Sequence, residues 1–142
     1  MDISGTQFAQ LLMGAFETMV DEVRASLESA GHPGLTVVNE LAMQAIDAGA
    51  SSAAHLARET GVSRQAAAKT ISVLESLGYV TREADPADAR KKALQVTVEG
   101  RSAIGIGAAA FERIFRRWEE EDRPAARVTI AALQRITASD RP

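Results

Sequence analysis

The chain contains no cysteine. Disulfides, thiolate metal sites and control by thiol oxidation are therefore excluded. Histidine is almost as scarce, with His32 in a Gly/Pro stretch and His55 beside a short apolar repeat. A surface or capping role is expected for each, rather than a shared metal site. No apolar run approaches the roughly 20 residues that span a bilayer, so no membrane partner is expected. The start of the chain has no basic stretch leading into an apolar core, which argues against secretion and for a cytoplasmic protein. There is no phosphate-binding glycine loop and no Gly-x-Ser-x-Gly elbow. Adjacent acids such as Asp21 and Glu22 fall on the polar side of a helical pattern, where solvation explains them. The sequence thus points away from an enzyme and calls for no cofactor and no metal.

What is present fits one domain of 142 residues. The net charge of −3 at first opposes nucleic-acid binding, but the charge is unevenly spread. Residues 1–57 hold one Arg against seven acids. Residues 58–101 hold eight cations against six acids, and residues 102–142 seven against six. A local surplus is enough for phosphate contacts, because distant acids are screened beyond a Debye length of about 8 Å.

The surplus lies in the stretch 52–100. Ser51 or Ser52 caps a short helix that holds Leu56 and Ala57. Gly61 supplies the positive φ of a sharp exit, Val62 is expected to anchor the turn on the core, and Ser63 caps the next helix. In that second helix Ala67, Thr70, Ile71, Leu74 and Leu77 repeat at helical spacing and should face inward. Arg64, Gln65, Ala68, Lys69 and Ser72 share the other face, and Gly78 ends the helix. Long donors beside small side chains suit a groove, since Arg and Gln can pair bidentately with base edges. A plain solvated face is the competing reading of this helix taken alone.

The next segment favours the groove. Tyr79–Glu83 and Leu94–Val98 read as two strands, with Leu94, Val96 and Val98 alternating inward. Asp85-Pro86 opens a turn, and Arg90, Lys91 and Lys92 are expected near the hairpin tip. A guanidinium on a thin hairpin can enter a minor groove, and Asp88 could brace it. A very short strand near Ala50-Ser51 would add a third edge. Helix, turn, helix and hairpin make a winged helix-turn-helix.

These residues resemble the MarR-type transcriptional regulators. The resemblance rests on Asp85-Pro86, Asp88-Ala89-Arg90 and Val96-Thr97-Val98-Glu99-Gly100 in the wing. Leu56-Ala57 with Gly61-Val62-Ser63, and Leu35-Thr36 opening an earlier helix, are similar too. Val96 replaces the usual leucine, and Ala89 a frequent second arginine. Ala66 and Ala68 stand where polar residues are common. The resemblance implies a mainly α (α+β) fold whose terminal helices interlock between two subunits. It also implies a ligand-responsive repressor with a lipophilic or phenolic effector bound between the DNA module and those helices. Phe16, Met19, Met43, Phe111 and Trp118 could line that cleft, although core packing is the competing reading of each.

The flanks agree with a dimer. Ser4 and Gln7 form a capping box for a helix running to about Ala30, with Phe8, Leu11, Leu12, Ala15, Phe16, Met19, Val20, Val23 and Leu27 apolar. That stripe is wider than a small domain needs, so part of it reads as a subunit interface. A second helix spans Leu35 to about Ala48, with Val38, Leu41, Ala42, Ala45 and Ile46 inward. After the hairpin, Gly100 or Arg101 opens a helix to about Glu121, with Ile104, Ala108, Phe111, Ile114, Phe115 and Trp118 apolar. Gly105 and Gly107 weaken it and suggest close packing. Pro124 begins a last helix to about Ala138, and Ser139–Pro142 reads as tail. The expected layout is one domain over 1–142, with dimerisation helices in 6–34 and 101–138 around a DNA-binding region at 35–100. The expected partners are double-stranded DNA, at a palindromic operator, and a second copy of the chain. The DNA contacts would come from Ser63, Arg64, Gln65, Lys69, Ser72, Arg90, Lys91 and Lys92. A winged helix serving as a protein-interaction module, its cations bound to an acidic partner, is the alternative.

Overall fold

The computed structural model describes residues 2–138; Met1 and the Ser139–Pro142 tail lie outside the described residues. The order of elements is α1 (Gly5–Ser29), α2 (Val37–Asp47), α3 (Ala53–Thr60), α4 (Arg64–Ser76), β1 (Val80–Asp85), β2 (Asp88–Val96), α5 (Val98–Glu121) and α6 (Arg123–Ala138). It is a mainly helical winged helix-turn-helix fold with a two-stranded antiparallel sheet.

Local chemistry explains most of the boundaries. At α1 the Ser4 hydroxyl accepts from the Gln7 N–H at 3.2 Å, and the Gln7 side chain accepts from the Ser4 N–H at 2.8 Å. Thr36 and Asn39 repeat this box at the head of α2. Ser52 and Ser63 cap α3 and α4. Asp122 accepts from the Ala125 N–H at 3.1 Å and starts α6. Gly61 closes α3 at φ 73°, the left-handed conformation that the tight turn demands.

The core gathers Val23 and Leu27 of α1, Leu35, and Met43 and Ile46 of α2. Leu56 of α3, Ile71 and Leu74 of α4, and Val80, Leu94 and Val96 of the hairpin complete it. Burying side chains of this size stabilises by roughly 1.5–3 kcal/mol each. Several expectations fail here. α2 turns a different face inward: Val37, Asn39, Glu40, Ala42, Met43 and Ile46 are buried, while Val38 and Leu41 are exposed. Val62 and Leu77 are also exposed. Gly61 already sets the turn, and Leu77 has passed the end of the packed stripe. Ala50-Ser51 forms no strand. Ser51 is tied to the hairpin by the Leu94 N–H, which donates to its carbonyl at 3.1 Å.

The root of the hairpin explains the Val96-Thr97-Val98-Glu99-Gly100 run. Thr97 leaves the sheet to cap α5, which starts at Val98 rather than at Gly100 or Arg101. Its hydroxyl accepts from the Gly100 N–H at 3.1 Å and donates to the Gly78 carbonyl at 2.7 Å. Val98, expected inside a strand, is 80% exposed on the first turn of α5. A Cβ at Gly100 would collide with the Tyr79 carbonyl oxygen and lie 2.6 Å from Val96 Cγ1. Gly100→Ala should therefore cost about 2 kcal/mol by overpacking. Urea unfolding at fixed protein concentration measures it, and an unchanged midpoint would refute the close approach.

His32 departs from expectation as well. It is buried, not superficial, with Nδ1 3.0 Å from the Tyr79 hydroxyl and Nε2 3.3 Å from Ser102 Oγ. It joins the α1–α2 loop to the hairpin root and α5, and so meets the need of buried polar groups for partners. Burial, then the Glu99 charge, pushes the Tyr79 phenol above its ordinary range.

Candidate nucleic-acid interface

The turn between α3 and α4 delivers α4 with one face free. Ala67, Ile71 and Leu74 are buried, while Arg64, Gln65, Ala68, Lys69 and Ser72 are exposed on the opposite side. The Ser63 hydroxyl accepts from the Ala66 N–H at 3.1 Å, so Ser63 serves first as a cap. Arg64 and Gln65 occupy the first turn of α4, the end that a recognition helix directs at base edges.

The hairpin is longer than the sequence suggested. Its strands reach Asp85 and Asp88, leaving Pro86 and Ala87 as the turn. Arg90, Lys91 and Lys92 lie on β2, in its first half and near that turn. Register runs from Val80 opposite Val96 to Ala84 opposite Lys92, then breaks, with Asp85 opposite Asp88. Ala89, Arg90 and Lys91 fall within that irregularity. A bulge re-aims side chains and increases twist, and it frees these cations from the regular ladder.

Asp88 holds Arg90 in two ways. Its Oδ1 accepts from the Arg90 backbone N–H at 3.1 Å and from Arg90 Nε at 3.2 Å. The Arg90 side chain is nonetheless 91% exposed, so its outer nitrogens face solvent. At the other end of the hairpin, Arg82 pairs with Glu75 of α4 at 3.2 Å. That contact couples hairpin to helix, and the sequence reading missed it.

The five residues assigned to a ligand cleft do not come together. Met19 and Phe111 do, with Leu41, Gln44, Ala108, Glu112 and Phe115, in an open groove of about 410 Å³ among α1, α2 and α5. Met43 is fully buried in the core, where packing takes precedence. Phe16 and Trp118 are exposed and are not among the groove's lining residues. Leu41 and Gln44 were missed as lining residues because the inward face of α2 was misjudged.

On α2, next to Leu41 and one turn before Gln44 of this groove, Glu40 is wholly buried, with neither carboxylate oxygen in a well-formed hydrogen bond among the described residues. Burial raises its pKa from 4.5 to about 7, and the nearby Gln44 amide opposes the shift. A Cβ at Gly107 would fall on the Glu40 carboxyl, so Gly107 makes room for it. Gly105, by contrast, faces open space. The spacing Val37, Glu40, Met43 placed Glu40 on an apolar face and could have disclosed it.

The described residues hold no group of three or more His, Asp or Glu side chains that could bind a metal, and no helix among them is long and apolar enough to cross a membrane.

Residues 34–91 match the MarR family. Over 85 residues the chain is 35% identical to the LexA repressor of Deinococcus radiodurans; the match takes in 58% of this chain and only 38% of that repressor. Streptococcus pneumoniae FabT, solved in complex with DNA, superposes with a TM-score of 0.79 at 13% identity, over 97% of this chain and all of the other. BpsR of Bordetella bronchiseptica, studied for regulation of its DNA binding by 6-hydroxynicotinic acid, gives 0.70 at 22% identity, with both chains fully covered. Identities this low carry the fold, while the match at 34–91 is a likeness of that segment to the MarR family. Helix-turn-helix, wing and flanking helices thus give this chain the winged helix-turn-helix fold of these structures, and its segment 34–91 is similar to the MarR family.

Proposed function

We propose that the protein is a homodimeric transcriptional repressor that binds a palindromic operator and is released by a small effector. The observation that carries this is the pairing of two exposed surfaces on one rigid unit. One is the Arg64, Gln65, Lys69, Ser72 face of α4, and the other is Arg90, Lys91 and Lys92 on the hairpin. The first suits a major groove, where Arg and Gln can read base edges. The second suits the adjacent minor groove and its phosphates, with Asp88 presetting Arg90. Ser63 acts through α4, whose first turn it fixes.

Two copies are needed for two half-sites about 34 Å apart. Phe8, Leu11, Leu12, Met13 and Phe16 of α1 are exposed in the single chain, as are Val128, Leu133 and Ile136 of α6. Exposed apolar side chains in this number on the terminal helices suit an association site. The reading therefore assigns dimerisation to 6–34 and 101–138 and DNA contact to 35–100. The groove beside Met19 and Phe111 lies where α2 of the DNA-binding region meets α1 and α5. A ligand wedged there would bias the angle between those regions, and this is the release mechanism we favour.

Selection of bound sites from a random duplex library tests the proposal. An enriched near-palindrome supports it, whereas equal binding to all duplexes leaves only the interaction-module reading. Arg90→Ala should weaken the selected site by roughly 2 kcal/mol, some 30-fold, with the fold unchanged. Wild-type affinity in a gel-shift titration would remove Arg90 from the interface. Lys91→Ala should weaken all sequences alike and reduce the slope of log affinity against log salt by about one. A sequence-selective loss would contradict a phosphate role.

A further inference from the structure

The Glu40 carboxylate has an environment that the fold alone does not explain. A fully buried carboxylate without a partner is costly, and cores rarely keep one unless it has a use. Its place is the α2–α5 seam against Gly107. The adjoining positions on both helices, Leu41 and Gln44 from α2 and Ala108 and Phe111 from α5, line the 410 Å³ groove. Gln44 belongs to both settings: it lines the groove, and its amide acts on Glu40. One flexible side chain is thus shared between a buried acceptor and an apolar cleft.

We propose that this groove takes a small lipophilic amine or protonated basic heterocycle whose cationic nitrogen pairs with Glu40 when Gln44 turns aside. This rests on the reading of the groove as the effector cleft and adds the chemical class of the effector. The walls are apolar and aromatic, from Met19, Leu41, Phe111 and Phe115, and suit a flat hydrocarbon body. The polar anchor is an acid. A cationic nitrogen gives it the charge-assisted bond that the protein withholds.

Other charged groups do not replace it. On α5, Glu112 lines the groove but is held by Arg116 Nε at 2.7 Å, and Arg101 is held 3.6 Å from Asp47 at the far end of α2. No charged group of α1, α3, α4 or β2, which also pack on α2, is among the causes of the Glu40 shift. Pairing requires the ionised carboxylate. Below pH 7, binding therefore releases a proton to solvent.

Calorimetric titration of the full chain with phenethylamine, phenylacetate and toluene separates the possibilities. The amine should bind best, and about tenfold more tightly at pH 8 than at pH 6, the ratio of ionised carboxylate for a pKa near 7. Glu40→Gln keeps the shape and should abolish both the preference and its pH dependence. Ala108→Trp, at an exposed position on the groove wall, should block every probe. Equal binding of the three probes, all lost in Ala108→Trp, would overturn the amine assignment and leave the groove standing. An amine preference that survives Glu40→Gln would move the anchor to Glu112 and also overturn it. If no probe binds, or binding survives Ala108→Trp, the effector-cleft reading fails with it.

Discussion

Leu11→Glu is expected to convert the protein to monomers and to lower its affinity for the selected operator by at least about a hundredfold. Leu11 is 62% exposed in the single chain, so a charge there costs the protomer little. Placed in a subunit interface, the same carboxylate would lose its water without gaining a partner. The loss in DNA binding exceeds that of any single contact because it is a loss of linkage. Two modules on one particle make the second half-site encounter intramolecular, which multiplies affinity by roughly 10²–10⁴ without new contacts. Light scattering after gel filtration reads the first part, and a gel-shift titration the second. A variant that stays dimeric would move the interface off the middle of α1. A monomer that still binds with wild-type affinity would refute the two-half-site reading.

Removal of the Glu40 charge should have the next largest effect, this time on stability. The carboxyl has a pKa of about 7 when folded and 4.5 as the ordinary value. Between those values the unfolded chain loses its proton and the folded chain keeps it. Stability therefore falls as pH rises through this window and levels off above about pH 7. Burial is the leading cause, so the whole shift opposes folding at alkaline pH. It amounts to at most about 3 kcal/mol. Glu22 acts in the opposite sense. Arg117 of α5 holds it through two bonds, of 2.7 and 3.2 Å, and lowers its pKa. The clean quantity is thus the difference between wild type and Glu40→Gln. Glu40→Gln should match wild type near pH 4.5 and exceed it by up to that amount at pH 8, in denaturant unfolding at fixed protein concentration. Parallel pH profiles would show that Glu40 is solvated after all.

The two experiments probe opposite ends of the same connection. Leu11 tests the proposed contact between two copies, and Glu40 tests the seam at which α2 rests on α5. Gly107 makes that seam close, and Met43, Leu56 and Ile71 join α2, α3 and α4 in one core beside it.

Much of this was legible without coordinates, for reasons that can be named. Caps and turns depend on a few neighbouring residues, so Ser4, Gly61 and Ser63, and Ser52 as one of two candidates, marked helix ends where the structure has them. The exposed face of α4 followed from a period of 3.6, and the Asp88–Arg90 pair from a spacing of two. The wing and turn motifs also carried the resemblance to the MarR family, which the match at residues 34–91 supports. Three-dimensional packing decided the rest. Which face of α2 goes inside depends on where α5 lies, and only a glycine on another helix makes room for Glu40. Met43 looked like a pocket residue until the core closed over it, and His32 looked like a loop residue until Tyr79 and Ser102 met it from 47 and 70 positions away. Local order in a chain reports on hydrogen bonds a few residues long, whereas burial is settled by partners that the linear order keeps far apart.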